Sequence, residues 1–412
     1  MLGPVTMREA KVWVQTDIET DVRIRYKLSD NSENYTTNSI RTGQSNNFCA
    51  TFTLLKVEPD RDYLYQVEIN GQPSEEAYAF STPQYYYDKT PPPDIKFALL
   101  GANYRPETGF EPPYQTLGAG YDIFYSIQKK NPDFIIWAGN TTHLRPSDWT
   151  SKSGYLKRYA HARSIPELKN LIAQVPNYAT WGSADYGPPR SGSEYTFKEI
   201  ARNNFLEYWP SPNPPQESGI VSRFRHSDVE FFILDVQSNR RDQPNSNNLP
   251  EILGKQQIDW LRKEIKTSTA TFKCIVAGAP ILNPAKNYQN LVFAEAEQKR
   301  MLQMLRDEQI DGLFFLSGGK KFGELTRLVH ANSYNLYDLT VGPVTAAPAS
   351  KADELNFFRM PGTSVFERHF AMIEITGPED DRKLTMRVLD LEGNELWQQS
   401  VRASQLLSER KD

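Results

Sequence analysis

The feature that most constrains the fold is a change in hydrophobic pattern after residue 94. From residue 95 onward, continuous apolar runs alternate with segments whose apolar residues recur at helical spacing, such as Ile258, Leu261 and Ile265. Continuous apolar strands between amphipathic helices indicate a sheet that is covered on both faces. Residues 95–412 are therefore predicted to form an α/β domain, with strands at 97–100, 134–137, 178–181, 231–234, 272–277 and 313–316.

The residues before this change follow a different pattern. Short runs of alternating apolar and polar residues, separated by turns, predict a small β-sandwich over residues 1–84. The sequence around Tyr63 and Tyr65 is similar to the tyrosine corner of fibronectin type III domains, so both tyrosines are expected to be structural. Residues 85–94 are rich in tyrosine and proline and read as a linker. The predicted strands in this region are 10–16, 22–26, 48–54, 63–69 and 77–80.

In the last stretch of the sequence, apolar and polar residues alternate again. Residues 369–375 and 384–389 alternate, and a turn at 392–394 precedes a last apolar pair. This pattern predicts antiparallel strands that close a second sheet.

Composition excludes several classes of function. The net charge is −4 with a pI near 5.9, so no basic excess favours nucleic acid as a partner. No apolar run approaches the ~20 residues that span a bilayer. Cys49 and Cys274 lie in apolar runs of different predicted domains and are interpreted as buried free thiols. Met1 lies close to the first predicted strand, and this abrupt start suggests a mature chain whose export signal has been removed.

The loops that follow the predicted strands are the expected location of a ligand site, since ligands of α/β proteins bind beyond the carboxyl ends of strands. These loops are rich in glycine, contain very few carboxylates, and hold a single histidine, His143. Their order and spacing resemble the PhoD-like alkaline phosphatases, a family within the calcineurin-like metallophosphatase superfamily. The resemblance is carried by residues 2–16, 254–261, 268–273, 382–397 and two late loops, 337–340 and 342–345.

The resemblance implies a metallophosphatase-type α/β/β/α sandwich, preceded by the fibronectin III-like β-sandwich. It also implies an enzyme that uses two metal ions. The chain departs from the family at the ligand positions. The family's Ser-Cys, Gly-Asp, Trp-Asp-Asp-His-Asp and Ser-Gly-Asp-Arg-His motifs correspond here to residues 101–102, 139–140, 181–185 and 317–321. The vestigial positions are Ala102, Asn140, Gly182, Ser183, Ala184, Asp185, Gly319 and Lys321.

These replacements remove the chemistry that a two-metal site requires. Two cations ~3.5–4 Å apart need several anionic or imidazole ligands. Alanine and glycine offer no side-chain donor, and the ammonium of Lys321 repels a cation. We therefore expect no bound metal, no other cofactor and no catalytic residue. Asp185 is expected to hold its loop through backbone hydrogen bonds.

Two loop features leave alternatives open. Lys320 and Lys321 could bind an anion as a pair, but the favoured interpretation is two solvated lysines. His143 could be a surviving base, but a lone histidine is more often a surface or hydrogen-bonded residue.

The favoured function is that of a catalytically inactive pseudophosphatase, a binding or scaffold subunit of an extracytoplasmic protein complex, with an outer-membrane context by analogy. Its partners are expected to be other proteins. The alternative is a divergent phosphomonoesterase or phosphodiesterase with a remodelled metal site. A third, weaker alternative is a metal-independent protein that binds anions through Lys320 and Lys321.

Overall fold

The computed structural model describes residues 1–87, 89–112, 116–212, 219–242, 249–329, 333–352 and 354–408. Its N-terminal part consists of two small antiparallel sheets packed around one apolar core. The strands are β1 Leu2–Val5, β2 Ala10–Gln15, β3 Thr20–Leu28, β4 Tyr35–Thr36, β5 Ile40–Thr42, β6 Cys49–Leu54, β7 Asp62–Ile69, β8 Gln72–Pro73 and β9 Tyr78–Ser81. One sheet has the order β1-β2-β6. The other has the order β4-β3-β7-β8, with β5 and β9 paired to β3 and β7.

Both tyrosines of the proposed corner have structural roles. The Tyr63 hydroxyl accepts a hydrogen bond from the backbone N–H of Glu58 at 2.8 Å, which ties it to the chain just upstream. The Tyr65 hydroxyl donates to the carbonyl of Ala173 at 2.6 Å and so joins this region to the next. The structural role predicted for both residues is confirmed, whereas the fibronectin III assignment stays a prediction.

The rest of the chain forms two six-stranded sheets. Its strands are β10 Ile95–Leu100, β11 Phe134–Ala138, β12 Asn177–Thr180, β13 Ser222–His226, β14 Val229–Ile233, β15 Phe272–Ala277, β16 Leu313–Ser317, β17 Glu324–Leu328, β18 Leu336–Thr340, β19 Phe370–Thr376, β20 Lys383–Leu389 and β21 Glu395–Arg402. The first sheet has the order β12-β11-β10-β19-β20-β21, and the second has the order β13-β14-β15-β16-β18-β17.

Helices cover the outer faces of both sheets. They are α1 Ile123–Lys129, α2 Lys152–Arg163, α3 Pro166–Gln174, α4 Ser183–Tyr186, α5 Lys198–Tyr208, α6 Lys255–Lys266 and α7 Glu295–Asp307, with short 3-10 helices at Gln44–Asn46, Leu291–Ala294, Glu379–Asp381 and Ala403–Leu406. One apolar core lies between the two sheets and continues through the second sheet to α6 and α7. Another lies between the first sheet and α1, α2, α3 and α5. The predicted mixed α/β architecture is confirmed. No helix in the described ranges is long and apolar enough to cross a membrane.

Three details differ from the sequence-based expectations. The last strands do not close a second sheet, because β19 pairs with β10 and so β19–β21 extend the first sheet. Residues 337–340 lie in strand β18 rather than in a loop. Strand β1 precedes the predicted first strand and pairs with β2. The two cysteines are buried and free, as predicted.

Arg382 connects residues 93–94, which lie between β9 and β10, to both six-stranded sheets. Its fully buried guanidinium donates to both carboxylate oxygens of Asp228, each at 3.0 Å. It also donates to Asp94 at 2.7 Å and to the carbonyl of Pro93 at 3.0 Å, both in the linker. Asp228 follows β13 in the second sheet, whereas Arg382 precedes β20 in the first. One side chain therefore joins three separate parts of the fold.

Candidate functional site at the carboxyl ends of the strands

Loops from both sheets meet at the carboxyl ends of the parallel strands. A Cβ added at Gly101 would lie 2.9 Å from the carbonyl carbon of Gly342, and one at Gly278 would lie 2.8 Å from that of Trp181. A side-chain Cβ does not approach a non-bonded atom this closely, so these glycines allow one backbone to pack directly on another. The predicted strand-end loops thus converge, as the topology of a parallel sheet requires.

The side chain of Asn140 fills the space beside Gly182. A Cβ at position 182 would lie 2.8 Å from Cγ and 2.9 Å from the backbone N of Asn140, and closer still to its Oδ1. That Oδ1 accepts a hydrogen bond from the backbone N–H of Ala184 at 3.0 Å. Two vestigial positions therefore pack against each other, and a side chain at 182 is incompatible with this placement of Asn140.

Gly319 is restricted in a similar way. It adopts a φ of +79°, in the left-handed region that favours glycine, and an added Cβ would lie 2.5 Å from the carbonyl oxygen of Gly278. A carboxylate-bearing residue at 319 would need both a strained backbone and a shift of the neighbouring loop. In this geometry, positions 182 and 319 cannot carry side chains.

Asp185 is buried and holds its own loop together. Its Oδ1 accepts hydrogen bonds from the Thr141 hydroxyl at 3.0 Å and the Thr142 N–H at 2.6 Å, and its Oδ2 accepts one from the Gly182 N–H at 2.8 Å. Burial raises the pKa of Asp185 to about 7, against the opposite effect of these donors. The backbone role predicted for Asp185 is confirmed by these bonds.

The other positions that the resemblance marks as altered, Ala102, Ser183 and Lys321, carry no carboxylate, imidazole or thiol. Ala102 is buried, and its carbonyl accepts a hydrogen bond from the N–H of Val344 at 3.0 Å. Ser183 is half-buried at the start of α4, and Lys321 is exposed.

Lys320 is not solvated, which corrects the favoured interpretation of this lysine. It is buried, and its ammonium donates to the carboxylate of Glu354 at 2.7 Å. Glu354 also accepts a hydrogen bond from Asn283 at 2.6 Å. A buried ammonium requires a partner because its desolvation is costly, and Glu354 supplies one. Lys321 is the lysine of the pair that faces solvent.

His143 is half-buried beside these loops. Its Nδ1 lies 3.0 Å from the carbonyl oxygen of Asn103, so the tautomer protonated at Nδ1 donates there. Its ring packs edge-on against Tyr104, with 5.0 Å between ring centroids. Desolvation lowers the pKa of His143 to about 4, and the charges of Lys321 and Arg145 act in the same direction. His143 is therefore neutral near pH 7, with Nε2 as its remaining acceptor.

The donor set does not fit a pair of metal ions. Among the residues that the structure describes, no group of three or more His, Cys, Asp or Glu side chains could hold one. The oxygen of the Asn140 amide is already engaged by Ala184, and the nearest carboxylate, Asp185, is committed to its loop. No reaction step through a metal is therefore derived for this chain.

The packing of Asn140 against Gly182 can be tested directly by a substitution at position 182. We expect Gly182→Ala to lower the free energy of unfolding by about 1–3 kcal/mol, because the new methyl group overlaps Asn140. Position 182 has an extended φ of −112°, so alanine strains no backbone angle there. Urea denaturation measures the change.

Asn140→Gly is the matched background, since its φ of +54° suits glycine. In that background, Gly182→Ala should lower the free energy of unfolding by at least about 1 kcal/mol less than it does in the wild type. A double-mutant cycle measures this coupling. Additive effects of the two substitutions would contradict the packing described here.

Two further polar residues hold these loops: Asp235, a residual carboxylate that the sequence already indicated, and His369, which gave little signal. Asp235 follows β14 and accepts hydrogen bonds from the Trp181 indole at 2.7 Å and the Ser238 hydroxyl at 2.7 Å. The buried ring of His369 accepts a hydrogen bond from the Gly342 N–H at 2.9 Å. A polar residue in a largely apolar stretch was the available signal, but the partners that join separate loops, Trp181 and Gly342, lie far away in the chain.

Comparison with known proteins was consistent with this architecture. The family model described as PhoD-like phosphatase matches residues 114–369, more than half of the chain. A second model, described as a domain of unknown function (DUF7800), matches residues 1–86. No curated protein sequence matched.

Two solved structures share the fold over nearly the whole chain. The structure of PhoD is 14% identical with a TM-score of 0.76, and the match covers 100% of this chain and 91% of that one. The purple acid phosphatase PPD1 from yellow lupin (Lupinus luteus) seeds is 13% identical with a TM-score of 0.74, and the match covers 97% and 73%. At these identities the similarity concerns the fold, and the family model carries the assignment. The chain belongs to the PhoD-like phosphatase family.

Proposed function

We propose that this chain is a catalytically inactive PhoD-like pseudophosphatase that acts as a binding or scaffold subunit of an extracytoplasmic protein complex. The observation that carries the proposal is the packing of Asn140 against Gly182, with its Oδ1 bonded to Ala184. A site that had lost a single ligand would keep room for the metal. Here neighbouring vestigial positions occupy each other's space, so the loops are stabilised without a metal.

The hydrogen bonds of the surrounding loops also support the proposal, because they hold the loops in place without a metal. Asp185 and Asp235 are fully engaged in hydrogen bonds to their own or adjacent loops, and Lys320 is neutralised by Glu354. These contacts preserve the shape of the strand ends without supplying a nucleophile or an activated water.

Metal content and activity test the proposal together. After incubation with Zn²⁺, Mn²⁺, Ca²⁺ or Fe³⁺ and removal of free ions, we expect mass spectrometry of the purified protein to find substoichiometric metal. We also expect no hydrolysis of a phosphomonoester or a phosphodiester above the uncatalysed rate. Two stoichiometric metal ions together with turnover would refute the inactive assignment.

Metal-dependent turnover would favour the alternative, a divergent phosphomonoesterase or phosphodiesterase with a remodelled metal site. Turnover that persisted without metal would instead point to His143 as a base, because its neutral Nε2 can accept a proton. Loss of such turnover in His143→Ala, but not in His161→Ala, would establish it.

The scaffold role and the location need separate measurements. Family members are largely secreted or bound to the envelope, and this resemblance supports an extracytoplasmic location. Fractionation of the native cells should recover the chain outside the cytoplasm. Crosslinking there should recover a constant set of protein partners, and recovery of the chain alone would count against the scaffold role.

A further inference from the structure

The segment 354–360 exposes its large apolar side chains and buries a polar one. Leu355 and Phe357 are 74% and 82% exposed, and the adjacent Phe358 is 40% exposed. Asn356, between them, is buried. Folding normally places apolar side chains inside and polar ones outside. Here a polar residue points inward and three large apolar residues point outward.

Buried polar contacts hold the segment in this orientation. The Asn356 amide donates to Glu324 at 2.9 Å and to the Thr326 hydroxyl at 2.8 Å, and Arg359 also pairs with Glu324. At the start of the segment, Glu354 accepts the hydrogen bond from Lys320. Turning the apolar residues inward would leave these buried partners unsatisfied, which is costly. The outward placement is therefore fixed by the fold.

Exposed basic side chains lie near the apolar residues. Lys321, Arg327 and Lys351 are exposed, and within the described ranges none of them forms an ion pair. The backbone N–H of Arg327 donates to the carbonyl of Phe358. Lys321 follows Lys320, which pairs with Glu354, and Lys351 lies three residues before Glu354 in the chain, so these cations adjoin the segment. The carboxylates of Glu324 and Glu354 are buried and paired, and so do not offset these charges at the surface.

We propose that the segment 354–360 docks the protein on an anionic lipid surface. Leu355, Phe357 and Phe358 would enter the boundary between headgroups and acyl chains, while the cations contact the headgroup phosphates. The polar side chains of the segment itself, Asn356 and Arg359, are engaged internally. A specific protein interface carries about one hydrogen bond per 100–200 Å², so apolar insertion combined with charge alone fits lipid better.

Vesicle co-sedimentation with the full chain tests the proposal. We expect binding to vesicles that mix phosphatidylglycerol with phosphatidylcholine, and much weaker binding to phosphatidylcholine alone. Leu355→Ser/Phe357→Ser should reduce the partition coefficient at least about tenfold, because two inserting side chains are lost. The matched control Ile18→Ser/Leu55→Ser removes residues that are 70% and 67% exposed elsewhere, and it should bind like the wild type.

A label at the segment distinguishes insertion from indirect effects. Both native cysteines are buried, so an environment-sensitive fluorophore on Phe357→Cys reports from one site. Its emission should shift to the blue with the anionic vesicles. Absence of binding by the wild type, or equal binding by a folded double Ser variant, would overturn the proposal. So would a change of oligomeric state in that variant without a change in vesicle binding, since the segment would then be a protein interface. These outcomes are independent of metal content and activity.

Discussion

Arg382→Met should lower the free energy of unfolding by about 3–5 kcal/mol, the largest effect that we expect from a single substitution in this chain. The guanidinium is fully buried and contacts Asp228, Asp94 and the carbonyl of Pro93. Removing it leaves the buried carboxylate of Asp228 without its bidentate partner. Urea denaturation of the variant and the wild type measures the loss.

Two further variants isolate the cause. Arg402→Met removes an exposed arginine that pairs with Asp381, and it should stay within about 0.5 kcal/mol of the wild type. Arg382→Met/Asp228→Asn neutralises the stranded carboxylate and should recover part of the loss. A loss below about 1 kcal/mol in Arg382→Met would show that the buried pair does not stabilise the fold.

Acidification should destabilise the protein through His369, by roughly 3 kcal/mol between pH values of about 6.5 and about 4. Desolvation lowers the pKa of this buried ring to about 4 from its ordinary value of 6.5. Nδ1 donates to the carbonyl of Glu367, and Nε2 accepts from the Gly342 N–H, so a second ring proton would face a donor. Neutral His369 contributes its full stabilisation above the pKa of the unfolded state, 6.5. This stabilisation is lost as the pH falls through the pKa of the folded state, about 4.

His369→Gln keeps an acceptor but removes the titration. Denaturation at about pH 7 and about pH 4 should show roughly 3 kcal/mol less pH dependence in the variant than in the wild type. Burial raises the pKa of Asp185 and Asp338 to about 7 and about 6, so these groups oppose the trend, but they are common to both proteins and cancel in the comparison. An unchanged pH dependence would rule out this role for His369.

Local patterns in the sequence predicted the central strands well. The predicted strand 272–277 coincides with β15, because a continuous apolar run between helices has few alternatives. Strand β1 was missed because it has only four residues and contains both Gly3 and Pro4. Helix α2 was missed because Tyr155, Leu156 and Tyr159 lie among charged residues and form no clear apolar face.

The site was predictable in its composition but not in its packing. The resemblance identified Asn140, Gly182 and Gly319 as altered positions. It could not show that Asn140 lies over Gly182, because that contact joins loops after two different strands. The partner of Lys320 was also hidden, since Glu354 lies 34 residues further along the chain. Local periodicity carries no information about such distant pairs.

The pairing of β10 with β19 has a consequence for biosynthesis. Ile95 is opposite Ile375 and Leu99 is opposite Ala371, so a central strand made early is completed by one that begins at Phe370 of a 412-residue chain. Until then, β10 has an open edge with unpaired N–H and C=O groups, which can pair with other chains. Pairings across such long separations form slowly. The first sheet therefore cannot be completed until translation has passed β19, and a chain truncated before Phe370 keeps this open edge and is prone to aggregation.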